Sequence, residues 1–362
     1  MNMVYNFSAG PAVLPPIVLE EAATQLPNFQ GTGMSIVELS HRGGHYQDVH
    51  EETLALCRRL WQIPDDFCLL FMQGGASTQF ATVPLNLLRV GRSADYIDTG
   101  SWSQKAINEA NLLGRVGRVA GSSRDRSYAY IPAQDQLDLD PGAEYVHLTS
   151  NNTIYGTQYS NWPDTGPVPI VADMSSDMLS RPVDWARLGL AYGGAQKNAG
   201  VAGLTVAVLR RDLLDRVGDG VPTMLRYATY ANTDSLYNTP PTFAIYVFGL
   251  VLQWLERGGG LSAMQQRNAA KAALIYGVLD RSGPFYAGHA QEGSRSAMNI
   301  TFNLAGRALE SVFFQTAEEA GLMGLKGHRA VGGIRASIYN AMSLEGCQVL
   351  ADFMADFARQ HG

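Results

Sequence analysis

One lysine, Lys197, lies in a stretch of small residues whose composition could serve covalent chemistry. The stretch YGGAQKNAGVAG at 192–203 carries almost no charge and separates two apolar runs, 188–192 and 204–209. Small residues on both sides allow backbone to approach closely whatever the lysine holds. On spacing alone, a surface lysine in a glycine-rich turn is the more common case. The alternative is a desolvated lysine whose amine attacks an aldehyde cofactor and forms a Schiff base.

Asp173 offers a second reactive group, because it ends the apolar run 168–172 about one strand–helix unit before the lysine. A carboxylate at this point could cap a helix. Alternatively, it could pair with a pyridinium nitrogen and keep it protonated, so that the ring acts as an electron sink. The loop GGAST at 74–78 opens a helix, where free backbone amides and the hydroxyl of Ser77 or Thr78 would hold a phosphate.

Trp102 and Thr153 each follow a predicted strand and could face the same ligand. A tryptophan is more often part of a core, but at the carboxyl end of a strand it could stack on a flat ring. Thr153 comes after the sequence TSNN and could bond a substituent of that ring.

Five basic residues lie in loops flanked by glycine: His41 with Arg42, His328 with Arg329, and Arg335. Most surface arginines form only weak salt bridges. A guanidinium that can approach a ligand closely is nevertheless well suited to bidentate binding of a carboxylate or phosphate. The chain has a net charge of -6, so any anionic substrate must be recognised by such local arginines.

These side chains must be positioned by an alternation of strands, polar loops and helices. We predict strands at 67–72, 94–98, 143–148, 168–172, 188–192 and 204–209, and helices at about 17–26, 50–61, 79–88 and 103–113. The alternation is typical of an α/β layer with a mostly parallel sheet. In such sheets ligands bind at the carboxyl ends of the strands, where the polar residues fall here.

The pattern changes near the triple glycine at 258–260. We predict helices up to about 257 and over about 261–280, 308–321 and 344–360, with strands at 296–304 and 335–339. The sequence therefore predicts a large domain at 17–258 and a smaller α+β domain at 259–362. We expect the segment 1–16 to pack with the smaller domain.

Composition excludes several classes of protein. The 362 residues contain no block of lysine or arginine, which argues against nucleic acid or an anionic membrane as a partner. Cys57, Cys68 and Cys347 are far apart and show no metal-binding or redox spacing, so we expect reduced thiols and no metal. The N-terminus lacks a signal core, and the most apolar run, 243–252, is too short to span a bilayer. We therefore predict a cytoplasmic location.

Together, these motifs resemble the phosphoserine aminotransferase family, within the class V, fold-type I group of pyridoxal phosphate (PLP) enzymes. The resemblance runs nearly end to end and rests on NFSAGPA at 6–12, SHRG at 40–43, QGGAST at 73–78, SNNTIYGTQ at 150–158, ADMSS at 172–176, GGAQKN at 193–198, NTPPTF at 238–243 and KGHRAVGGIRASIYNAM at 326–342. It implies the fold-type I architecture, with a mostly parallel seven-stranded type of sheet in the large domain.

The resemblance also implies roles for individual residues. Lys197 would form the Schiff base with PLP, Asp173 would pair with the pyridine nitrogen, and Trp102 would stack on the ring. Thr153 would contact the hydroxyl side of the ring. The phosphate would be bound by Ala76, Ser77 and Gln196, joined by Asn238 and Thr239 from a partner subunit. The family pattern thus implies a homodimer with shared active sites.

For the substrate, the resemblance assigns the α-carboxylate to Arg335. It assigns the distal phosphate, or the side-chain carboxylate of glutamate, to His41, Arg42, His328 and Arg329, some of them across the dimer. The implied reaction is ping-pong transamination between glutamate and 3-phosphohydroxypyruvate, and 4-phosphohydroxythreonine stays open as a further substrate. The chain departs from some family members at position 9, where Ala9 replaces serine and removes one side-chain contact.

Other interpretations are weaker. A class V alanine–glyoxylate aminotransferase would not need the additional His–Arg pairs. A cysteine desulfurase needs a mobile nucleophilic thiol, whereas Cys57 and Cys347 fall in helical patterns and Cys68 leads into a strand. A non-catalytic scaffold would be favoured only if Lys197 or Asp173 were missing. A nicotinamide-binding fold is excluded because no G-x-G-x-x-G follows the first strand.

Overall fold

The computed structural model describes residues 4–214, 216, 220–306 and 308–362. Within them the helices are α1 Pro16–Gln25, α2 Gly44–Trp61, α3 Ala76–Leu87, α4 Ser101–Leu112, α5 Tyr227–Ala231, α6 Thr242–Arg257, α7 Gly260–Arg281, α8 Ala308–Glu319 and α9 Leu344–His361. The strands are β1 Tyr5–Asn6, β2 Phe67–Gln73, β3 Ser93–Asp98, β4 Val116–Ser122, β5 Val146–Thr149, β6 Asn151–Asn152, β7 Thr157–Gln158, β8 Ile170–Asp173, β9 Leu188–Gly194, β10 Leu204–Arg210, β11 Tyr286–Gly288, β12 Asn299–Leu304, β13 Leu322–Met323 and β14 Ile334–Ser337.

A seven-stranded sheet in the order β2-β10-β9-β8-β5-β3-β4 forms the centre of the fold. The neighbours from β9 to β4 pair in parallel, and only β10 runs antiparallel to both of its neighbours. The inner strands are apolar and buried on both faces, as expected when helices cover both sides of a parallel sheet. The prediction of a mostly parallel α/β sheet is therefore confirmed.

The carboxyl edge of this sheet collects the polar loops. Strand β2 leads into α3 through Gly74 and Gly75, β3 leads into α4, and β9 leads into the loop that holds Lys197. Asp173 ends β8 and pairs in register with Thr149 on one side and Tyr192 on the other. The last residues of strands that are far apart in sequence thus lie close together at the carboxyl edge of the sheet.

The largest differences from the predicted elements are at α2 and β4. Helix α2 begins at Gly44, six residues before the predicted start, because Tyr46 and Val49 already place apolar side chains on the main core. The edge strand β4 was not predicted. Its sequence VGRVAGS has two glycines and only one fully buried residue, Ala120, so it lacks the buried apolar run by which the inner strands are recognised.

A second apolar cluster surrounds the three-stranded sheet β11-β12-β14 together with α8, α9 and the C-terminal half of α7. Phe7 of the N-terminal segment belongs to this cluster, and β1 pairs in parallel with β13. The N-terminal half of α7 instead packs on the main cluster through Leu261 and Met264. We propose the division at 258–259 on this basis, with α7 as the element that joins the two clusters.

Lys271, near the middle of α7, is a buried cation with no carboxylate partner among the described residues. Its side chain is 2 % exposed. The ammonium donates to the carbonyl oxygens of Ile338 at 3.0 Å, Tyr339 at 2.7 Å and Met342 at 3.1 Å. An ammonium has three protons, so these three bonds satisfy it completely. They fix the segment that follows β14 against α7.

We expect Lys271→Met to destabilise the protein strongly, because three buried carbonyl oxygens would lose their donor. The loss in the free energy of unfolding should be about 3 kcal/mol or more. It can be measured from the midpoint of urea unfolding followed by circular dichroism. Lys326→Met, which removes an exposed lysine, is the matched control and should change the midpoint little. Equal midpoints for the two variants would contradict this role of Lys271.

Candidate active site

The Lys197 side chain lies at the carboxyl edge of the sheet, in the loop between β9 and β10. Its Nζ donates to Thr153 Oγ1 at 2.8 Å. Burial, together with the charge of Arg335, lowers the pKa of Lys197 to about 8, although the carboxylate of Asp173 opposes the shift. A substantial fraction of this amine is therefore neutral near physiological pH, which is the form that attacks a carbonyl carbon.

The N-terminal segment packs directly against this lysine. A Cβ on Gly10, which has φ of +152°, would come 3.2 Å from Lys197 Cγ. The amide of Ala12 donates to the carbonyl oxygen of Gln196 at 2.9 Å, and Tyr339 Oη donates to the carbonyl oxygen of Ala9 at 2.7 Å. The segment thus confines the aliphatic part of the lysine side chain.

Asp173 is a buried carboxylate, with only 4 % of the residue exposed. Its Oδ1 accepts from the amide of Ser175 at 3.0 Å and from Ser175 Oγ at 2.6 Å. Burial raises the pKa of Asp173, whereas Ser175 and Lys197 oppose that rise. Its other oxygen has no partner in the described residues. It is therefore available to a cationic N–H donor of a ligand.

Trp102 provides a flat surface beside the lysine. It lies in the first turn of α4, and Lys197 Nζ is 5.1 Å from the centroid of its ring. The indole Nε1 is buried and has no hydrogen-bond partner among the described residues. A donor left in this state is expected to find an acceptor in a ligand.

The N-terminus of α3 offers backbone amides for an anion. Gly74 and Gly75 precede it with φ of 111° and 128°, and a Cβ on Gly75 would meet nothing within 4 Å. No side chain caps this helix, so the amides of Ala76 and Ser77 in its first turn have no intrahelical partner. Such a helix start binds phosphate through its amides and the positive end of the helix dipole.

Arg335 brings a guanidinium close to Thr153 and Lys197. Its Nη1 donates to the carbonyl oxygen of Thr153 at 3.4 Å, and it forms no ion pair within the described chain. Burial lowers the pKa of Arg335. A partly buried guanidinium without a carboxylate partner is unfavourable unless a ligand supplies the anion.

His328 and Arg329 lie in the loop before β14, where Arg329 adds positive charge to the same region and His328 adds a hydrogen-bonding imidazole. Burial, followed by the charges of Arg335 and Arg329, lowers the pKa of His328. The Arg329 guanidinium is exposed and has no hydrogen bond or ion pair to any described residue. The site therefore presents cations without an acidic group of the protein to neutralise them.

The remaining predicted residues are not brought to the lysine by this chain. His41 and Arg42 precede α2, and no hydrogen bond or ion pair links their side chains to Lys197 in the described structure. His41 Nε2 is buried without a partner. Asn238 and Thr239 precede α6, where the carbonyl oxygen of Thr239 accepts from Gln73 Nε2 at 2.9 Å, next to Gly74. Gln196 adjoins Lys197.

Sequence reasoning did not assign a role to Asp177, which is fully buried behind Asp173. Its Oδ2 accepts from Gln158 Nε2 at 3.1 Å, and Ser150 Oγ donates a short hydrogen bond to its other oxygen. A second acidic residue four positions after Asp173 was the available signal. Only the folded chain shows that it shares the buried surroundings of the lysine, whose pKa it raises slightly.

Metal binding and membrane crossing are two further possibilities for the described residues. No group of His, Cys, Asp and Glu side chains there could hold a metal ion. No described helix has the length and apolar character needed to cross a membrane.

The chain is similar to known proteins over almost its whole length. The family model for aminotransferase class-V matches residues 4–350. A phosphoserine aminotransferase of Desulfatibacillum aliphaticivorans is 55% identical over 362 residues, which cover 100% of this chain and 99% of that protein. The solved phosphoserine aminotransferase of Bacillus circulans subsp. alkalophilus matches with a TM-score of 0.97 at 51% identity, covering 99% of each chain.

A more distant solved structure is informative about the cofactor. The PLP-bound phosphoserine aminotransferase of Trichomonas vaginalis matches with a TM-score of 0.93 at 38% identity, over 97% of this chain and 99% of that one. The agreement in fold, length and sequence is far beyond what a shared architecture alone requires. The chain belongs to the phosphoserine aminotransferases of the class V aminotransferase family.

Proposed function

We propose that this chain catalyses the transamination between L-glutamate and 3-phosphohydroxypyruvate that gives 2-oxoglutarate and O-phospho-L-serine. The proposal rests on one observation: the desolvated amine of Lys197 lies near guanidinium groups that have no acidic partner in the described residues, above all Arg335. An amine that reacts with carbonyl carbons suits a transaminase. Unpaired guanidinium groups suit a substrate with two anionic ends.

The site residues fit PLP as the cofactor. The unpartnered Nε1 of Trp102, the free oxygen of Asp173 and the uncapped start of α3 each lack a partner that a flat, phosphorylated pyridine ring would supply. We propose that Lys197 binds its aldehyde carbon, Asp173 its ring nitrogen, and Ala76, Ser77 and Gln196 its phosphate. Trp102 would cover the ring, and Thr153 would contact its hydroxyl. When bound, PLP supplies an electrophilic carbon and withdraws electrons from the substrate Cα.

Lys197 acts in two capacities in this proposal. In the neutral form, which its lowered pKa of about 8 makes accessible, the amine is a nucleophile. Once the substrate amine has taken its place, the same Nζ would accept the proton from the substrate Cα and would return it to the carbon that the PLP aldehyde supplies. Thr153 Oγ1, 2.8 Å from Nζ, and the Gly10 backbone restrict where that proton can be delivered.

The charged form of Asp173 is disfavoured by burial and favoured by Ser175. Burial raises its pKa, and the two hydrogen bonds from Ser175 counteract that effect. A charged carboxylate facing a pyridine nitrogen favours the protonated ring. We propose that Ser175 is required for this reason.

The substrate is held by its two anionic ends. Arg335 takes the α-carboxylate, because it is the guanidinium that lies next to Thr153 and Lys197. His328 and Arg329, in the loop that precedes the strand of Arg335, take the distal phosphate or carboxylate. The distance of these distal groups from Arg335 thus selects a substrate that carries a second negative charge.

His41, Arg42, Asn238 and Thr239 are proposed to act in the site of a second copy of the chain. No hydrogen bond or ion pair among the described residues links them to the Lys197 side chain. The buried, unpartnered Nε2 of His41 supports an external ligand at this point. A homodimer related by a two-fold axis would supply each site with these residues from its partner.

The desulfurase alternative gains no support from the thiols. Cys57, Cys68 and Cys347 are all free and buried, in α2, β2 and α9 respectively. Burial raises the pKa of each thiol, which disfavours the nucleophilic thiolate.

The proposed function is tested by mixing the PLP-loaded protein with O-phospho-L-serine, and separately with L-alanine. We expect the visible absorbance of the bound cofactor to be lost with phosphoserine and to persist with alanine, because the distal cations need an anion. Lys197→Ala should retain cofactor without turning over. A response to alanine but not to phosphoserine would reject this substrate, and normal turnover by Lys197→Ala would reject the lysine.

The pH dependence of Lys197 gives an independent test. In the cofactor-free protein, labelling of Lys197 by a small amine-reactive reagent, followed by peptide mass spectrometry, should reach half of its maximal rate at about pH 8. The carboxylate of Asp173 raises the pKa of Lys197, so Asp173→Asn should move this midpoint to lower pH. Exposed Lys326 in the same samples controls for the reagent, and Asp212→Asn, on the surface, is the matched variant. An unchanged or higher midpoint in Asp173→Asn would contradict the coupling.

The shared site can be tested with a hybrid dimer of Lys197→Ala and Arg42→Ala chains, purified through two different tags. If Arg42 serves the partner's lysine, one site carries both changes and the other carries none. The hybrid should then have about half of the wild-type activity per dimer. If Arg42 serves its own chain, both sites are damaged and the hybrid should be nearly inactive. A hybrid of wild-type and Lys197→Ala chains gives the reference value.

A further inference from the structure

Lys105 is a cation of the site region to which no role has been assigned. It follows Trp102 by three residues on α4, so both side chains lie on the same face of the helix. Its Nζ is 4.6 Å from the centroid of the Trp102 ring, the same ring that Lys197 Nζ faces at 5.1 Å. The side chain is exposed and forms no ion pair with any described acidic residue.

The start of α4 holds this pair of residues in place. Ser103 Oγ accepts from the amides of Thr99 and Gly100, each at 3.0 Å, and is 3.1 Å from Asp98 Oδ1. A Cβ on Gly100 would come 2.8 Å from the ring of Tyr155, so the helix start packs tightly against that ring. The backbone that carries Lys105 is therefore fixed, while its four-carbon side chain is free to reach a ligand.

The loop that carries His328 and Arg329 packs on the same small cluster as Trp102. Trp102 from α4 and Val331 from the loop both contact the apolar cluster of Tyr128, Ile154 and Tyr155. The helix that carries Lys105 and the loop that carries His328 and Arg329 are thus joined through this one cluster.

The charges in this region act on one another. Burial lowers the pKa of His328, and the charges of Arg335, Arg329 and Lys105 lower it further. His328 is therefore mostly neutral at pH 7, and it serves as a hydrogen-bonding group rather than as a permanent charge. The permanent charges of the region are Arg335, Arg329 and Lys105.

These three charges exceed what two carboxylates require. Glutamate has one negative charge at each end, whereas a phosphate monoester has a charge of about -1.5 to -2 at neutral pH. If Arg335 takes the α-carboxylate, Arg329 can neutralise a distal carboxylate alone. A phosphate carries more negative charge than Arg329 offsets, and its third oxygen offers a further acceptor. Lys105 of the same chain can therefore bind it in addition to the Arg42 proposed to come from a second copy.

We propose that Lys105 binds the distal phosphate of the substrate directly and selects phosphorylated substrates over glutamate. The inference rests on the proposed function and adds to it a residue that treats the two substrates of one site differently. In the absence of phosphate the ammonium rests on the Trp102 ring, where a cation is stabilised by the ring electrons. With glutamate bound, it stays there.

The test compares Lys105→Met with Lys105→Arg in the PLP-loaded protein, using single-turnover absorbance with O-phospho-L-serine and with L-glutamate. Lys105→Met should lower kcat/KM for phosphoserine about 10- to 100-fold, the usual effect of losing a charge-assisted hydrogen bond, and change kcat/KM for glutamate less than about threefold. Lys105→Arg should restore most of the loss. Competitive inhibition by inorganic phosphate should weaken in Lys105→Met in parallel.

Controls separate this role from others. Lys326→Met removes an exposed lysine at the base of the same loop and should leave both reactions unchanged. The affinity for PLP should be the same in all variants. Equal losses for both substrates, or a loss of PLP affinity in Lys105→Met, would mean that Lys105 only supports Trp102 and would overturn the proposal. Wild-type protein inert to phosphoserine would overturn the proposed function itself, whereas active wild type with an equally active Lys105→Met would overturn the role of Lys105 alone.

Discussion

The desolvation of one ammonium group governs the arrangement of this protein. Lys197 is placed at the carboxyl edge of the sheet, where burial makes its charged form unfavourable and its neutral form reactive. Asp173 limits that shift, and Thr153 holds the nitrogen through one hydrogen bond. The parallel strands β5, β8 and β9 are needed because they alone bring residues 153, 173 and 197 to one point. Much of the surrounding structure keeps water from this point.

The positive charges of the site contrast with the negative net charge of the whole chain. The chain has a net charge of -6, yet the proposed substrate end of the site is lined by cations without acidic partners in the described structure. Such groups are destabilising while the site is empty and become favourable when an anion arrives. Recognition is therefore built from local, partly buried charges instead of from a long-range field. The acidic surface elsewhere does not contribute to binding an anionic substrate.

The sequence predicted the sheet well, because apolar strands alternate regularly with glycine-rich loops. The role of Lys197 as the reactive lysine stays a prediction. It did not predict β4, whose glycines and arginine hide its strand character, or the true start of α2. Local patterns also could not reveal Lys271 or Asp177, since their partners lie far away in sequence. Resemblance to a family supplied the roles of His41, Arg42, Asn238 and Thr239. A single chain cannot display contacts that two chains make.

The N-terminal segment links the two ends of the chain in a way that bears on biosynthesis. Residues 5–6 pair with residues 322–323, and residues 9–12 pack against the loop of Lys197 and against Tyr339. During translation this segment leaves the ribosome long before its pairing strand, β13. Contacts of such long sequence separation form late. The strands of the large sheet therefore emerge before the contacts that enclose Lys197 can be complete.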